Sequence, residues 1–172
     1  MTKENTHKFQ SKYDSTYADF LKDVYAGRIA LIREFETHVG KEEALRIVKN
    51  FYETQAVENI KDLVAKLDTP IESIETFGDV MKRLASNEVT ANTQTMEYAN
   101  SPPGTFHMCT TECLWADVFK ELDAADLGYI MLCGTDFPAA SAFHENIRLE
   151  RTKTLMQGDD HCDFIYHWDE TD

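Results

Sequence analysis

Apolar residues recur at three- and four-residue steps along the first half of the chain. One run extends over 11–39 and a second over 41–67, with Gly40 between them. This spacing places the apolar side chains on one face of a helix, so it predicts two amphipathic helices. Glycine suits the left-handed position that ends a helix. A weaker helical pattern covers 71–84.

After residue 87 the pattern becomes rich in β-branched and aromatic residues. The predicted elements are, in order, strands at 89–98 and 105–111, helices at 114–122 and 127–143, and strands at 147–156 and 161–168. Turn-forming residues at 100–104 and 157–160 separate the members of each strand pair, which predicts two hairpins. Pro138 must begin a new helical segment or kink the second helix, because proline lacks the backbone donor.

These elements predict an α+β fold, with N-terminal helices packed on an antiparallel sheet of two hairpins linked by a helical segment. We expect residues 1–10 to form a disordered tail and residues 11–172 to form a single domain. Its helical part would cover 11–86 and its sheet-containing part 87–172. The sheet would form the floor of any pocket.

The net charge of the chain excludes some classes of binding partner. It carries 31 acidic and 17 basic side chains, for a net charge of -14. Such a surface repels nucleic acids and anionic membranes. No apolar export signal or 18-residue apolar stretch is present, so we expect a soluble, cytoplasmic protein. The sequence is compatible with either a monomer or a homo-oligomer.

The last predicted hairpin places two cations near a cysteine. With a four-residue loop, its register pairs Leu155 with Cys162, Lys153 with Phe164 and Arg151 with Tyr166. Because side chains alternate along a strand, Arg151 and Lys153 would then share the covered face with Cys162. Cations there require an anion, such as the carboxylate of a small substrate. The alternative is a bulge near Gly158 that turns both cations to solvent.

Cysteines and nearby carboxylates are the other candidates for chemistry. Cys133 and Asp136 lie three apart on a predicted helix, so the carboxylate can orient or deprotonate a partner, or join the thiolate as a metal ligand. Cys113 opens a helix, whose N-terminus can lower a thiol pKa. Each cysteine can equally be a buried hydrophobe.

Metal binding and histidine catalysis stay open. Cys109 and Cys113 form only a weak zinc signature, since no second close pair exists. A composite site of Cys113, Cys133 and Cys162 with Asp136 or a histidine is conceivable, with zinc or manganese as the metal. His161, beside Cys162 in sequence, is a candidate general base, although clean strand alternation turns it away from that thiol.

Several motifs are absent from the chain. It contains no G-x-G-x-x-G, no P-loop, no G-x-S-x-G and no H-E-x-x-H. We therefore expect no nucleotide or flavin cofactor and no serine-hydrolase site.

Two stretches, TECLWADVFKELDAADLGYIMLCGTDF and RLERTKTLMQGDDHCDFIYHW, resemble the bacterial L-2-amino-thiazoline-4-carboxylic acid hydrolase family. The resemblance covers about 112–168. The matching positions are Cys113, Leu127-Gly128, Cys133 with Asp136, Thr154-Leu155, Gly158-Asp159 and Cys162-Asp163-Phe164.

The resemblance implies hydrolytic opening of a carboxylated cyclic isothiourea (a cyclic amidine) to N-carbamoyl-L-cysteine. It makes Cys133 and Cys162 candidate nucleophiles or metal ligands and Asp136 a general acid or base, with Cys113 and His161 as further catalytic candidates. Strand register, and not the family pattern, adds Arg151 and Lys153 as substrate anchors.

A second resemblance is to the 4-vinyl reductase type of small-molecule-binding domain. It rests on the late Gly-Asp followed by a cysteine on a strand. It implies a ligand sensor or carrier without turnover.

Overall fold

The computed structural model describes residues 15–169, so the predicted tail lies outside the described residues. The helices are α1 (Tyr17–Val39), α2 (Lys41–Val64), α3 (Ile74–Ala85), α4 (Glu88–Thr93), α5 (Leu114–Glu121), α6 (Ala125–Met131) and α7 (Asp136–Phe143). The strands are β1 (Gln94–Tyr98), β2 (Thr105–Cys113), β3 (Ile147–Glu150) and β4 (Cys162–Trp168), and short 3-10 turns cover Cys133–Thr135 and Leu155–Gln157.

Local sequence signals set the bounds of the first two helices. Thr16 and Asp19 form a capping box at the start of α1, because each side chain accepts a hydrogen bond from the other residue's backbone N–H. Gly40 separates α1 from α2 with a φ of 86°. A positive φ is readily adopted by glycine, so the chain can reverse here between two long antiparallel helices.

The four strands form one antiparallel sheet in the order β1-β2-β4-β3. The α+β fold with two hairpins is therefore confirmed. Buried side chains alternate along β2 at Phe106, Met108 and Thr110, and α3 and α7 contribute side chains to the core on the sheet. The helical segment α5–α7 connects the two hairpins.

Two core clusters fill the molecule. The first joins α1 with α5, α6 and the 155–157 turn, and Phe119 and Leu127 are fully buried in it. The second joins α3 and α7 with the sheet, and its centre is the fully buried Phe77. The seam between these clusters contains the candidate site.

Three predicted elements differ from the structure. Residues 88–93 are helical and not extended, because the Asn87 side chain accepts a hydrogen bond from the Thr90 backbone N–H at 3.0 Å and starts α4. The predicted helix over 127–143 is broken at Leu132, which has non-helical angles, and Pro138 lies in the first turn of the new helix α7. The predicted strand over 147–156 ends at Glu150.

The register of the last hairpin also differs. Tyr166 pairs with Leu149 and not with Arg151, a shift of two residues. An even shift keeps each side chain of the paired strands on its predicted face, because faces alternate with a period of two. Arg151 therefore lies on its predicted face of the sheet, although the predicted register is wrong.

Candidate active site

A cavity of about 320 Å³ lies on the covered face of the sheet at the seam of the two cores. Its size is at the lower end of the usual range for small-molecule sites. The side chains that line it are Met81, Gln94, Met96, Met108, Thr110, Cys113, Trp115, Leu132, Cys133, Thr135, Asp136, Arg151, Met156, Cys162, Phe164 and Tyr166. Two of these carry opposite charges, and the others are apolar or neutral.

Arg151 and Asp136 form an ion pair in this cavity. Arg151 Nη1 lies 2.6 Å from Asp136 Oδ2, and Nη2 donates to the Cys133 carbonyl oxygen at 2.7 Å. The Arg151 side chain is 1% exposed, whereas that of Asp136 is 38% exposed and lines the cavity. Burial raises the pKa of the Asp136 carboxyl, and the adjacent guanidinium opposes that rise. A carboxylate thus faces the cavity with an elevated affinity for a proton.

Aromatic rings hold the guanidinium in place. The Arg151 Cζ atom lies 5.1 Å from the ring centroid of Phe137 and 5.0 Å from that of Phe164. Contacts of this kind favour a cation over the ring faces. Arg151 is therefore fixed by two hydrogen bonds and two rings.

Three thiols line the same cavity, namely Cys113, Cys133 and Cys162. All four cysteines of the chain are free, including Cys109. Burial, together with the neighbouring Asp136 carboxylate, raises the pKa of Cys133 to about 12. Burial also raises the pKa of Cys113 and of Cys162, although backbone N–H groups act in the opposite direction at both. At neutral pH the thiols are protonated.

Cys113 and Cys162 each accept a hydrogen bond through sulfur. The Leu155 backbone N–H donates to Cys162 Sγ at 3.2 Å, and the Gln94 side-chain amide donates to Cys113 Sγ at 3.8 Å. Cys113 precedes α5 as expected, but burial outweighs the effect of the helix start. The predicted lowering of its pKa is wrong.

Two carboxylates of the matched motif hold the loop that carries Arg151. Asp163 accepts hydrogen bonds from the Thr152 N–H at 2.9 Å, the Thr152 hydroxyl at 2.6 Å and the Lys153 N–H at 2.5 Å. Asp159 accepts from the Thr154 N–H at 2.8 Å. These bonds form the irregular segment that replaces the end of the predicted strand.

This segment removes Lys153 from the cavity. Its side chain is 43% exposed and its Nζ atom lies 3.1 Å from Asp160 Oδ1. The predicted placement of Lys153 on the covered face is therefore wrong, because the strand ends three residues before it. Arg151 alone of the two cations reaches the cavity.

His161 is placed apart from the thiols. Its Nδ1 atom lies 2.8 Å from Asp160 Oδ1, and its side chain does not line the cavity. The turn away from Cys162 follows strand alternation, as the sequence predicted. Cys109 also lies outside the cavity, on the opposite face of β2 from Met108 and Thr110.

The composite metal site is not supported by the arrangement. Within residues 15–169, no group of three or more His, Cys, Asp and Glu side chains is arranged to hold a metal ion. The three thiols line one cavity without forming such a group.

The sequence analysis missed several polar groups of the cavity. Tyr166 is 4% exposed and Thr110 is 3% exposed, and both line the cavity together with Gln94. Tyr166 shares its strand face with Cys162, which was the available signal. Gln94 gave no signal, because the predicted strand began at residue 89, whereas β1 begins at Gln94.

Fold and cavity together define an α+β domain with a cavity of small-molecule size. A model of the L-2-amino-thiazoline-4-carboxylic acid hydrolase family matches residues 20–166. The chain belongs to this family, and the match includes the helical half, where the sequence offered no motif. No curated protein matches the chain.

Two solved structures resemble the fold. One is the phenol-responsive sensory domain of the transcription activator PoxR with phenol, at 14% identity and a TM-score of 0.51, covering 83% of this chain and 73% of that one. The other is trafficking protein particle complex subunit 3 from Naegleria fowleri covalently bound to palmitic acid, at 13% identity and a TM-score of 0.50, covering 87% and 97%. These likenesses concern the fold alone.

None of the helices within the described range is long and apolar enough to cross a membrane.

Proposed function

We propose that this protein hydrolyses a small carboxylated cyclic isothiourea, L-2-amino-thiazoline-4-carboxylate, to N-carbamoyl-L-cysteine. The observation that carries the proposal is the convergence of Asp136, Arg151, Cys133 and Cys162 on one cavity. Family membership supports a hydrolase. The cavity adds a base, a cation and sulfur groups, which this chemistry can use.

Charge balance favours a zwitterionic substrate. Asp136 and Arg151 are the two charged side chains lining the cavity. A carboxylate beside Arg151 and a protonated amidine beside Asp136 would leave the site neutral, whereas a simple anion would leave Asp136 uncompensated. The thiazoline carboxylate has both groups.

Asp136 is the general base in this scheme. It takes a proton from water while the water oxygen bonds to the carbon between nitrogen and sulfur. The bond from that carbon to sulfur then breaks, and Asp136 returns the proton to the departing sulfur. The second water proton leaves to solvent as the carbonyl forms, because the protonated amidine already carries a hydrogen on its ring nitrogen. A raised pKa suits a carboxylate to both transfers.

The thiols act as neutral hydrogen-bond donors beside the ring. Direct attack by Cys133 would first require loss of a proton from a group with a pKa of about 12. Water activated by Asp136 avoids a thiolate intermediate. The two routes differ in their response to serine, which keeps a donor but is a much weaker nucleophile.

Thiol release from the thiazoline carboxylate tests the proposal. Wild-type protein should release one thiol per substrate, and Asp136→Asn should lower kcat by about 10²- to 10⁴-fold. Asp79→Asn, on the exposed side of α3, is the matched control and should retain full activity. Cys133→Ser and Cys162→Ser should each retain measurable turnover. Loss of activity in a serine variant to the level of Asp136→Asn would favour a nucleophilic cysteine.

A non-catalytic ligand-binding domain is the second candidate. The apolar lining, which includes Met81, Met96, Met108 and Phe164, favours it, as does the fold shared with a phenol-responsive sensory domain. A binder would gain thermal stability from its ligand without releasing thiol. Release of thiol by the wild type, and its loss in Asp136→Asn, would exclude a purely binding role.

A further inference from the structure

Tyr166 has a rigidly held ring at the centre of the sheet. It lies on β4 between Phe106 of β2 and Leu149 of β3. Its ring centroid is 4.8 Å from that of Phe77 and 6.3 Å from that of Phe164, with which it is stacked.

Tyr166 lines the cavity, and none of the side-chain hydrogen bonds found among residues 15–169 involves its hydroxyl. Burial and the nearby Asp136 carboxylate raise its pKa, so the phenol remains a proton donor at working pH. Tyrosine hydroxyls in largely apolar surroundings usually find a hydrogen-bond partner, and a hydroxyl left free by the protein can find one in a bound molecule. A free donor on a residue that lines a small-molecule cavity beside an ion pair therefore points to a ligand acceptor.

Arg151 by itself is a weak anchor for an anion. Two of its five N–H groups are used by Asp136 and the Cys133 carbonyl oxygen, and Asp136 offsets its charge. Asp136 also repels a substrate carboxylate, so a second donor near Arg151 is needed to hold it. Tyr166 supplies one without adding charge.

We propose that Tyr166 is a substrate-binding residue whose hydroxyl donates to the substrate carboxylate beside the remaining N–H groups of Arg151. We call Tyr166 and Arg151 together the carboxylate clamp. This clamp rests on the proposed function, because it holds the carboxylate of the proposed substrate. It selects cyclic amidines that carry a carboxylate over those that lack one. The expected contribution is about 10- to 100-fold in affinity, as for a hydrogen bond to a charged group.

The test compares the thiazoline carboxylate with 2-amino-2-thiazoline, which lacks the carboxylate. Calorimetric Kd values and KM and kcat are measured for wild type, Tyr166→Phe and the control Tyr98→Phe, a surface tyrosine. In Tyr166→Phe, Kd and KM for the carboxylate should rise about 10- to 100-fold. The values for the analogue and kcat should change little, and the control should match wild type.

Failure of the clamp and failure of the reaction give different results. Equal weakening of both ligands, or no weakening of the carboxylate, overturns the clamp while hydrolysis still stands. Wild type that binds without releasing thiol overturns the reaction, and the ratio of Kd values still decides the clamp. Wild type that binds neither compound overturns both. Thermal unfolding of Tyr166→Phe verifies that the variant is folded.

A separate observation concerns the outer faces of α1 and α2. Leu31, Phe35 and Val39 recur at four-residue steps on α1 and are 47% to 59% exposed, and Ile47 and Phe51 do the same on α2. They line a groove of about 880 Å³ between the two helices. A contiguous apolar surface of this kind marks an interaction site.

The groove region is nearly neutral within an acidic chain. Residues 25–59 contain five Lys or Arg and six Asp or Glu, a net charge of -1, whereas the whole chain carries -14. Several of these charges pair along their own helix, including Arg46 with Glu43 and Lys49 with Glu53. Two copies of the chain can meet here without the repulsion that the rest of the surface imposes.

We infer that a second copy of the chain docks in this groove and forms a symmetric helix–helix interface. Of the 17 residues that line the groove, 13 are at least partly exposed, enough to form the centre of an interface of roughly 20–30 residues per side. Leu132 and Thr135 line both this groove and the candidate active site. The docked copy therefore rests against the wall of that cavity.

Sedimentation velocity of the full chain tests this interface. Wild type should sediment as a dimer of the 19.7 kDa chain, and Phe35→Glu and Phe51→Glu should be monomers. Val89→Glu, at a half-exposed apolar residue of α4 outside the groove, is the control and should stay dimeric. A monomeric wild type, a monomeric control, or a dimer that persists in both groove variants overturns the inference.

Discussion

The Arg151–Asp136 pair makes a sharp prediction about stability as well as function. Asp136→Ala removes the partner of a guanidinium whose side chain is 1% exposed, and Arg151→Met removes the cation while keeping an unbranched apolar chain. The double variant removes both charges. The pair can therefore be studied with a double-mutant cycle.

The expected magnitude follows from the burial of the two partners. Removing one member of a buried pair costs about 3–5 kcal/mol, because the other charge is left uncompensated. Asp136 faces the cavity and is 38% exposed, so we expect the lower end, about 3 kcal/mol, for Asp136→Ala. The double variant should lose less than the sum of the single variants by about 2 kcal/mol, because it leaves no lone buried charge.

Urea unfolding of the four proteins at pH 7 measures these values. A loss of about 3 kcal/mol corresponds to a fall of about 6–12 °C in Tm for a domain of this size. Independent, additive losses would contradict the coupling of the two charges. A loss below about 0.5 kcal/mol in Asp136→Ala would mean that Arg151 is solvated, since surface changes have effects of this size.

Three further predictions concern packing, thiol reactivity and pH. Gly128→Ala should lower the free energy of unfolding by about 1–3 kcal/mol in urea, because its Cβ would lie 2.7 Å from Phe119 Cγ; a loss below about 0.5 kcal/mol would contradict this packing. Iodoacetamide at pH 8, followed by peptide mass spectrometry, should modify Cys133 about 10³-fold more slowly in folded than in urea-unfolded protein, because its pKa rises from 9.0 to about 12; rates within tenfold would show an available thiolate. Although burial acts to raise the pKa of Asp163, its hydrogen bonds lower it below the unfolded value of about 3.9, so its stabilising effect is complete above that pH and is lost as pH falls through the folded pKa. The stability difference between wild type and Asp163→Asn should therefore be about 1–2 kcal/mol at pH 7 and should shrink at pH 3; a constant difference would contradict the assignment.

Much of the secondary structure is predicted by the sequence, because hydrophobic periodicity and turn residues are signals that span only a few neighbouring positions. The two long helices, the two hairpins and the new helical segment that has Pro138 in its first turn follow from such signals. The start of the strand predicted over 89–98 is helical in the structure, because the Asn87 cap depends on one side-chain hydrogen bond that the β-branched residues after it obscure in the sequence. Register was misread because Asp163 and Asp159 hold an irregular loop where the pattern suggested a strand.

The sequence by itself determined the α+β class, the candidate thiols and the face of Arg151, because alternation along a strand survives an even shift in register. Tertiary structure alone decided which candidates meet: Arg151 pairs with Asp136, whereas Lys153 and His161 pair with Asp160 at the surface. It also decided the protonation of the thiols, since a pKa depends on burial and on charges brought close by folding. Tyr166 belongs to the site for the same reason: strand alternation places it on the face of Cys162, but only folding brings α7 and the loop before β4 beside it.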